Sequence, residues 1–115
     1  MKRLLLLALL AGTPASLIAA SGAPVIDGYL EPAGYVQLTS ISSATALSSI
    51  PTGVKLTLIQ AESQAVRWRD DGSNPTASAG MVIAAGDTLV YNGNPSALKV
   101  IETTASAKVN VSYYR

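Results

Sequence analysis

From Tyr35 onward the chain is a succession of short stretches in which apolar and polar residues alternate, each ended by turn-forming residues. A two-residue period puts one set of side chains on one face of a strand. A helix needs a period near 3.6, and no stretch after residue 35 sustains one. Val36 and Leu38 alternate with Gln37 and Thr39. Val54, Leu56 and Leu58 alternate with Lys55 and Thr57. Val66 and Trp68 alternate with Arg67 and Arg69. The cleanest pattern is the last, with Val109, Val111 and Tyr113 set against Lys108, Asn110 and Ser112. Met81–Ala85, Thr88–Tyr91 and Leu98–Glu102 read as further strands. Asp71-Gly72 and Asn92-Gly93 suit type I′ turns and Gly86-Asp87 a type II′ turn, while Asn74-Pro75 and Asn94-Pro95 open turns. The expected fold class is all-β: a small antiparallel β-sandwich or jelly roll of about seven strands. The serine-rich stretch 40–49 is low in complexity and is expected to be a flexible loop.

Two segments precede this domain. Residues 1–23 are apolar and signal-like. Met1-Lys2-Arg3 is basic, Leu4 to Ala11 contains only Leu and Ala, and small residues follow at Ala19-Ala20-Ser21-Gly22-Ala23. That layout matches a secretory signal peptide, which export would remove. A membrane span is disfavoured, because Gly12, Pro14 and Gly22 interrupt the uncharged stretch. The remaining reading is an apolar arm. Leu4, Leu5, Leu6, Leu7, Leu9 and Leu10 are too many leucines for a water-facing surface, so they would lie against another chain. Residues 24–34 hold two Pro and two Gly and are read as a linker, leaving residues 35–115 as the β-domain.

The chain has 115 residues, room for one small domain, and it lacks both His and Cys. That removes imidazole bases, thiolate nucleophiles, disulfides and thiolate zinc sites. With eight Lys/Arg against seven Asp/Glu, no basic face is expected for nucleic acid or an anionic membrane. Charged residues are only 13%, about half the usual share, which suits a surface covered by partners. A domain of about 80 residues buries only some 60–65% of its chain surface, so self-association is a natural source of stability.

The densest chemistry is Arg67-Trp68-Arg69-Asp70-Asp71-Gly72. Arg67, Arg69, Asp70 and Asp71 are candidate contacts to another chain, with Trp68 expected in the core. The alternative is a plain strand with solvated arginines and a turn. The oxygen-rich Asp70–Asn74 stretch lacks the spacing of a calcium loop, so no metal and no cofactor are expected. Asp27 with Glu31, or Glu62 with Glu102, would be the acid pairs of a glycosidase, but their spacing carries no information. No catalytic residue is assigned, and the chain is not expected to be an enzyme. Tyr113-Tyr114-Arg115 ends the best strand. Tyr114 is a candidate partner contact, on an edge strand covered by a neighbour.

Ile59-Gln60-Ala61-Glu62, the block Val66–Gly72 and the ending Asn110-Val111-Ser112-Tyr113-Tyr114 resemble a family of small tailed-bacteriophage virion proteins. The resemblance spans Leu58–Tyr114, about half the chain. It implies a non-enzymatic structural protein, first a capsid decoration or minor capsid protein and next a tail or fibre component. It further implies a homo-oligomer, a trimer by preference, seated on the virion surface against the major capsid protein or other virion proteins. The leucine-rich start is not part of the resemblance. An exported β-sandwich binding module, periplasmic or secreted, is the alternative that the start favours.

Overall fold

A computed structural model describes residues 28–115. The candidate arm residues Leu4, Leu5, Leu6, Leu7, Leu9 and Leu10 lie outside the described residues, as does Asp27.

Eight strands follow in order: β1 (Pro32–Leu38), β2 (Thr45–Ala46), β3 (Leu56–Glu62), β4 (Val66–Arg69), β5 (Met81–Ile83), β6 (Thr88–Tyr91), β7 (Lys99–Glu102) and β8 (Lys108–Tyr114). They form two four-stranded antiparallel sheets, one ordered β1-β8-β3-β6 and the other β2-β7-β4-β5. The pairs β1·β8, β2·β7, β3·β6 and β4·β5 are nested one inside the next, first with last. The chain is therefore one long folded ribbon wrapped into two layers, with β3·β8 and β4·β7 sealing the wrap. That order is a jelly roll, so the all-β sandwich read from the alternation is what forms.

The alternating residues supply the core. Val109, Val111 and Tyr113 of β8, Ile59 and Ala61 of β3, and Val66 of β4 are buried between the sheets with Val100, Leu98 and Ile41. The Tyr113 hydroxyl donates to the Ser48 carbonyl at 2.7 Å, so the largest core side chain leaves no buried donor unpaired.

Several details depart from the expectations. The strand near Val54 starts later and faces the other way. β3 buries Thr57, Ile59 and Ala61, and turns Leu56 and Leu58 to the outer face. Leu56-Thr57-Leu58-Ile59 is apolar in both phases, and the register against β8 decides between them. Stretch 40–49 is anchored rather than loose: Ile41 and Leu47 are core residues, and Thr45–Ala46 pairs with β7. β1 begins at Pro32, inside the segment read as linker, because Glu31 and Arg115 exchange backbone hydrogen bonds of 2.7 and 2.9 Å.

None of the turn dipeptides closes a two-residue hairpin. Six of the seven connections pass from one sheet to the other, and only β4 to β5 stays within a sheet. Gly86 is the third residue of a turn closed by Asp87 N–H to Ala84 C=O at 2.9 Å, with φ +87°, as a type II turn requires. Neither Asn92 nor Gly93 takes the positive φ of a type I′ turn. Gly72 does, at +89°, but within the long β4–β5 connection.

Tyr114 is not on an edge. β8 lies between β1 and β3, and Tyr114 pairs with Pro32 on one side and Leu56 on the other. Its side chain is half-buried on the outer face. Alternation reports which face of a strand is buried and not how many strands flank it, so the pattern alone does not separate a central strand from an edge one.

Candidate functional site

Of the candidate contact residues, Arg67, Arg69, Asp70 and Asp71 come together at the β4–β5 hairpin, whereas Tyr114 lies on the outer face of the other sheet. Strand alternation sends Val66 and Trp68 inward and Arg67 and Arg69 outward. Trp68 is half-buried rather than fully buried. It lies at the core margin, edge-on to Tyr91 with ring centroids 5.8 Å apart and planes at 72°. β5 is the sheet's edge strand and too short to cover the indole completely.

Each charged member of the cluster has a partner within its own chain. Arg67 donates through NH1 to the Gly80 carbonyl at 2.8 Å and through Nε to the Ala77 carbonyl at 3.2 Å. It fastens the loop of residues 70–80 back over the outer face of its own sheet. Lys99 Nζ holds the same loop through Asn74 Oδ1 at 2.9 Å, and Pro75 is buried beneath it. Gly80, with φ +139°, is needed at the end of this loop: a Cβ there would lie 3.2 Å from the Trp68 carbonyl oxygen.

Arg69 and Asp71 form a two-pronged ion pair, Nε to Oδ1 at 3.0 Å and NH2 to Oδ2. The hydrogen bond and charge of Asp71 raise the Arg69 guanidinium above its ordinary value. The hydrogen bond from Arg69 lowers the Asp71 carboxyl below its own. The pair is open to solvent, so it sets geometry more than stability. Asp70 accepts from the Tyr91 hydroxyl at 2.8 Å.

These residues border a groove of about 410 Å³ lined by Trp68, Arg69, Asp70, Asp71, Gly80 and Met81. Across Met81 lies a second hollow of about 210 Å³, where Trp68 meets β5 and the start of β6. Met81 and Val82 are each more than half exposed. An indole floor, apolar side walls and a fixed Arg–Asp rim at the open margin of a sandwich are suited to contact with another macromolecule. The sequence marked the rim through its charge density. It did not mark Met81 and Val82, whose exposure follows from β5 being an edge strand. Of the acid pairs, Glu62 lies on the outer face of β3 and Glu102 belongs to the other sheet. Among the described residues no three of His, Cys, Asp or Glu are grouped to hold a metal ion, and no helix is long and apolar enough to cross a membrane.

The groove depends on Tyr91. A Cβ on Gly93 would stand 2.5 Å from the Tyr91 hydroxyl and 2.6 Å from Cζ, and the ring is held by Asp70 and Trp68. Gly93→Ala is expected to displace Tyr91 and destabilise the fold by about 1–3 kcal/mol. The sole Trp reports the change: a red-shifted emission should accompany the lowered melting temperature.

No family model, curated protein or solved structure matches this chain.

Proposed function

We propose that this protein is a bacteriophage virion structural protein of the capsid decoration or minor capsid type, binding neighbours by protein–protein contact. The observation that carries the reading is the groove at the β4–β5 margin, with exposed Met81 and Val82 beside the ordered Arg69–Asp71 rim. Apolar walls with a directional charged rim are the anatomy of a protein contact surface. The jelly roll is a common architecture of viral shells, which supports the reading by analogy of fold alone. The resemblance of Leu58–Tyr114 to small virion proteins supplies the preference for the particle surface and for a trimer. In this reading Arg69, Asp70 and Asp71 meet the neighbour, Arg67 acts through the loop it fastens, Tyr114 adds to the outer face, and the leucines of residues 4–10 anchor the chain to the shell.

Mass spectrometry of purified virions is expected to find the chain in fixed ratio to the major capsid protein. Deleting residues 2–23 is expected to leave a folded domain that no longer joins the particle. Sedimentation of the purified chain is expected to give a trimer, and Arg69→Ala to shift it to smaller species at micromolar concentration. Absence from the virion, with a monomer indifferent to Arg69→Ala, would remove this reading. If the native chain is about 2 kDa lighter than its sequence, residues near 1–20 have been cleaved and the exported binding module takes its place.

A further inference from the structure

The outer face of the β1-β8-β3-β6 sheet bears a second site, unrelated to the groove. Register across three strands brings Tyr35 and Gln37 of β1, Asn110 of β8, and Gln60 and Glu62 of β3 together. Asn110 is the hub. Its Oδ1 accepts from the Tyr35 hydroxyl at 2.7 Å and from Gln37 Nε2 at 3.0 Å. Its Nδ2 donates to Gln60 Oε1 at 3.2 Å and to Glu62 Oε1 at 2.8 Å.

One residue sets the direction of every bond in this network. A carboxylate only accepts, so Glu62 fixes which end of the Asn110 amide faces it. With Nδ2 spoken for, Oδ1 faces β1, and Tyr35 and Gln37 must be donors. Gln60 in turn must present its oxygen to Asn110. The Nε2 group of Gln60 and the Oε1 atom of Gln37 are thereby left directed away from the hub. Both atoms, and the hydroxyls of Thr88 and Ser112, take no partner among the described residues.

Beside the hub is a depression of about 200 Å³ lined by Tyr35, Leu58, Gln60, Thr88, Asn110 and Ser112. The Tyr35 ring is 63% exposed, yet its hydroxyl is tied down, so the ring stands as a fixed flat wall. Leu58 supplies an apolar floor. The charges of the face, Glu62 and its cross-strand partner Lys108, are one register step beyond the hub and outside the depression. What remains is a neutral hollow, of the order of one sugar ring, with one aromatic wall and several oriented amide and hydroxyl groups.

We infer that this face binds a neutral oligosaccharide. The apolar C–H face of a pyranose matches the Tyr35 ring, and its hydroxyls match oriented groups that both donate and accept. An anionic ligand would find no cation in the depression. A flexible peptide would leave the fixed amides only partly matched, at a desolvation cost. The ordering of Gln37, Gln60 and Asn110 before binding lowers the entropy cost of capture. The site stands whether or not the chain belongs to a particle.

The test is a titration of the ¹⁵N-labelled full chain with neutral hexasaccharides of glucose, xylose and N-acetylglucosamine, read on side-chain amide signals. At least one sugar is expected to give saturable shifts at Gln37, Gln60 and Asn110. Tyr35→Ala should weaken binding by about tenfold or more. Glu62→Ala should weaken it less while freeing the Asn110 amide to reorient, seen as broadening of its signal. Both residues are exposed, so unchanged melting temperatures are expected for both variants. The inference is overturned if none of the three sugars shifts these amides, or if Tyr35→Ala leaves the shifts intact. It is also overturned if Tyr35→Ala instead reduces the sedimenting mass with no sugar response, which makes the face a contact between copies.

Discussion

Replacing Tyr113 by Ala is expected to lower stability by about 3–5 kcal/mol, as for other large aromatic truncations in a core. Tyr113 is fully buried, packs among the core residues of both sheets and is the largest such side chain. It also tethers Ser48, so truncation both opens a cavity and leaves a carbonyl unpaired. Against a total of roughly 5–15 kcal/mol for a domain, the loss removes about a third to a half of the stability of a domain near the middle of that range. Tyr113→Phe separates the two contributions. It keeps the ring and should cost about 1 kcal/mol, the worth of one hydrogen bond. Urea midpoints of the three proteins give the comparison, and equal midpoints for Ala and Phe would place the ring's packing outside the stabilising core.

The second large effect is alkaline unfolding. Burial pushes the Tyr91 hydroxyl up to about 12 from its ordinary 10.0, and the hydrogen bond to the Asp70 carboxylate adds to the rise. A folded-state value above the unfolded one means that the folded chain holds the proton more tightly. The resulting stability is complete below pH 10 and is lost as pH rises toward 12. Two pH units at about 1.4 kcal/mol each bound the effect, and about 2 kcal/mol should be gone at pH 12. Tyr113 is raised by burial as well, so its loss runs in the same direction. Urea midpoints measured from pH 9 to 12 should fall steeply in the native chain and less steeply in Tyr91→Phe. Identical slopes for the two proteins would show that Tyr91 is not the titrating group.

Much of the fold was legible where the two-residue period was unambiguous. Val109, Val111 and Tyr113 face inward as the alternation implied, and Val66 and Val36 follow suit. Reading failed where local chemistry underdetermines the partner. Leu56 to Ile59 offers apolar residues in both phases. A two-residue strand such as Thr45–Ala46 has no period to detect. Gly86-Asp87 and Asn92-Gly93 mark breaks between strands, but not the type II′ and I′ hairpins expected of them, because a dipeptide cannot reveal that the strands it joins lie in different sheets. At the site, Arg67–Asp71 drew attention because its charges are contiguous. The Asn110 hub did not, because Tyr35 and Asn110 are 75 residues apart and meet only through the β1·β8 register.

The nested pairing of strands also governs how the chain can reach its native state. β4 and β5 are the innermost pair, joined by one loop, and each pair outward of them must close a longer stretch of chain: β3 with β6, then β2 with β7, and finally β1 with β8. Closing an outer pair directly from the unfolded chain costs more conformational entropy than closing it once the pairs inside have formed. The economical order is a zipper that starts at the β4–β5 tip, fastened by Arg67, and ends where Glu31 meets Arg115. Contacts so distant in sequence place refolding at the slow, millisecond-to-second end of the range for small domains. Until the last pair closes, β8 lacks one neighbour, and its Val- and Tyr-rich edge is the segment most exposed to pairing with another chain.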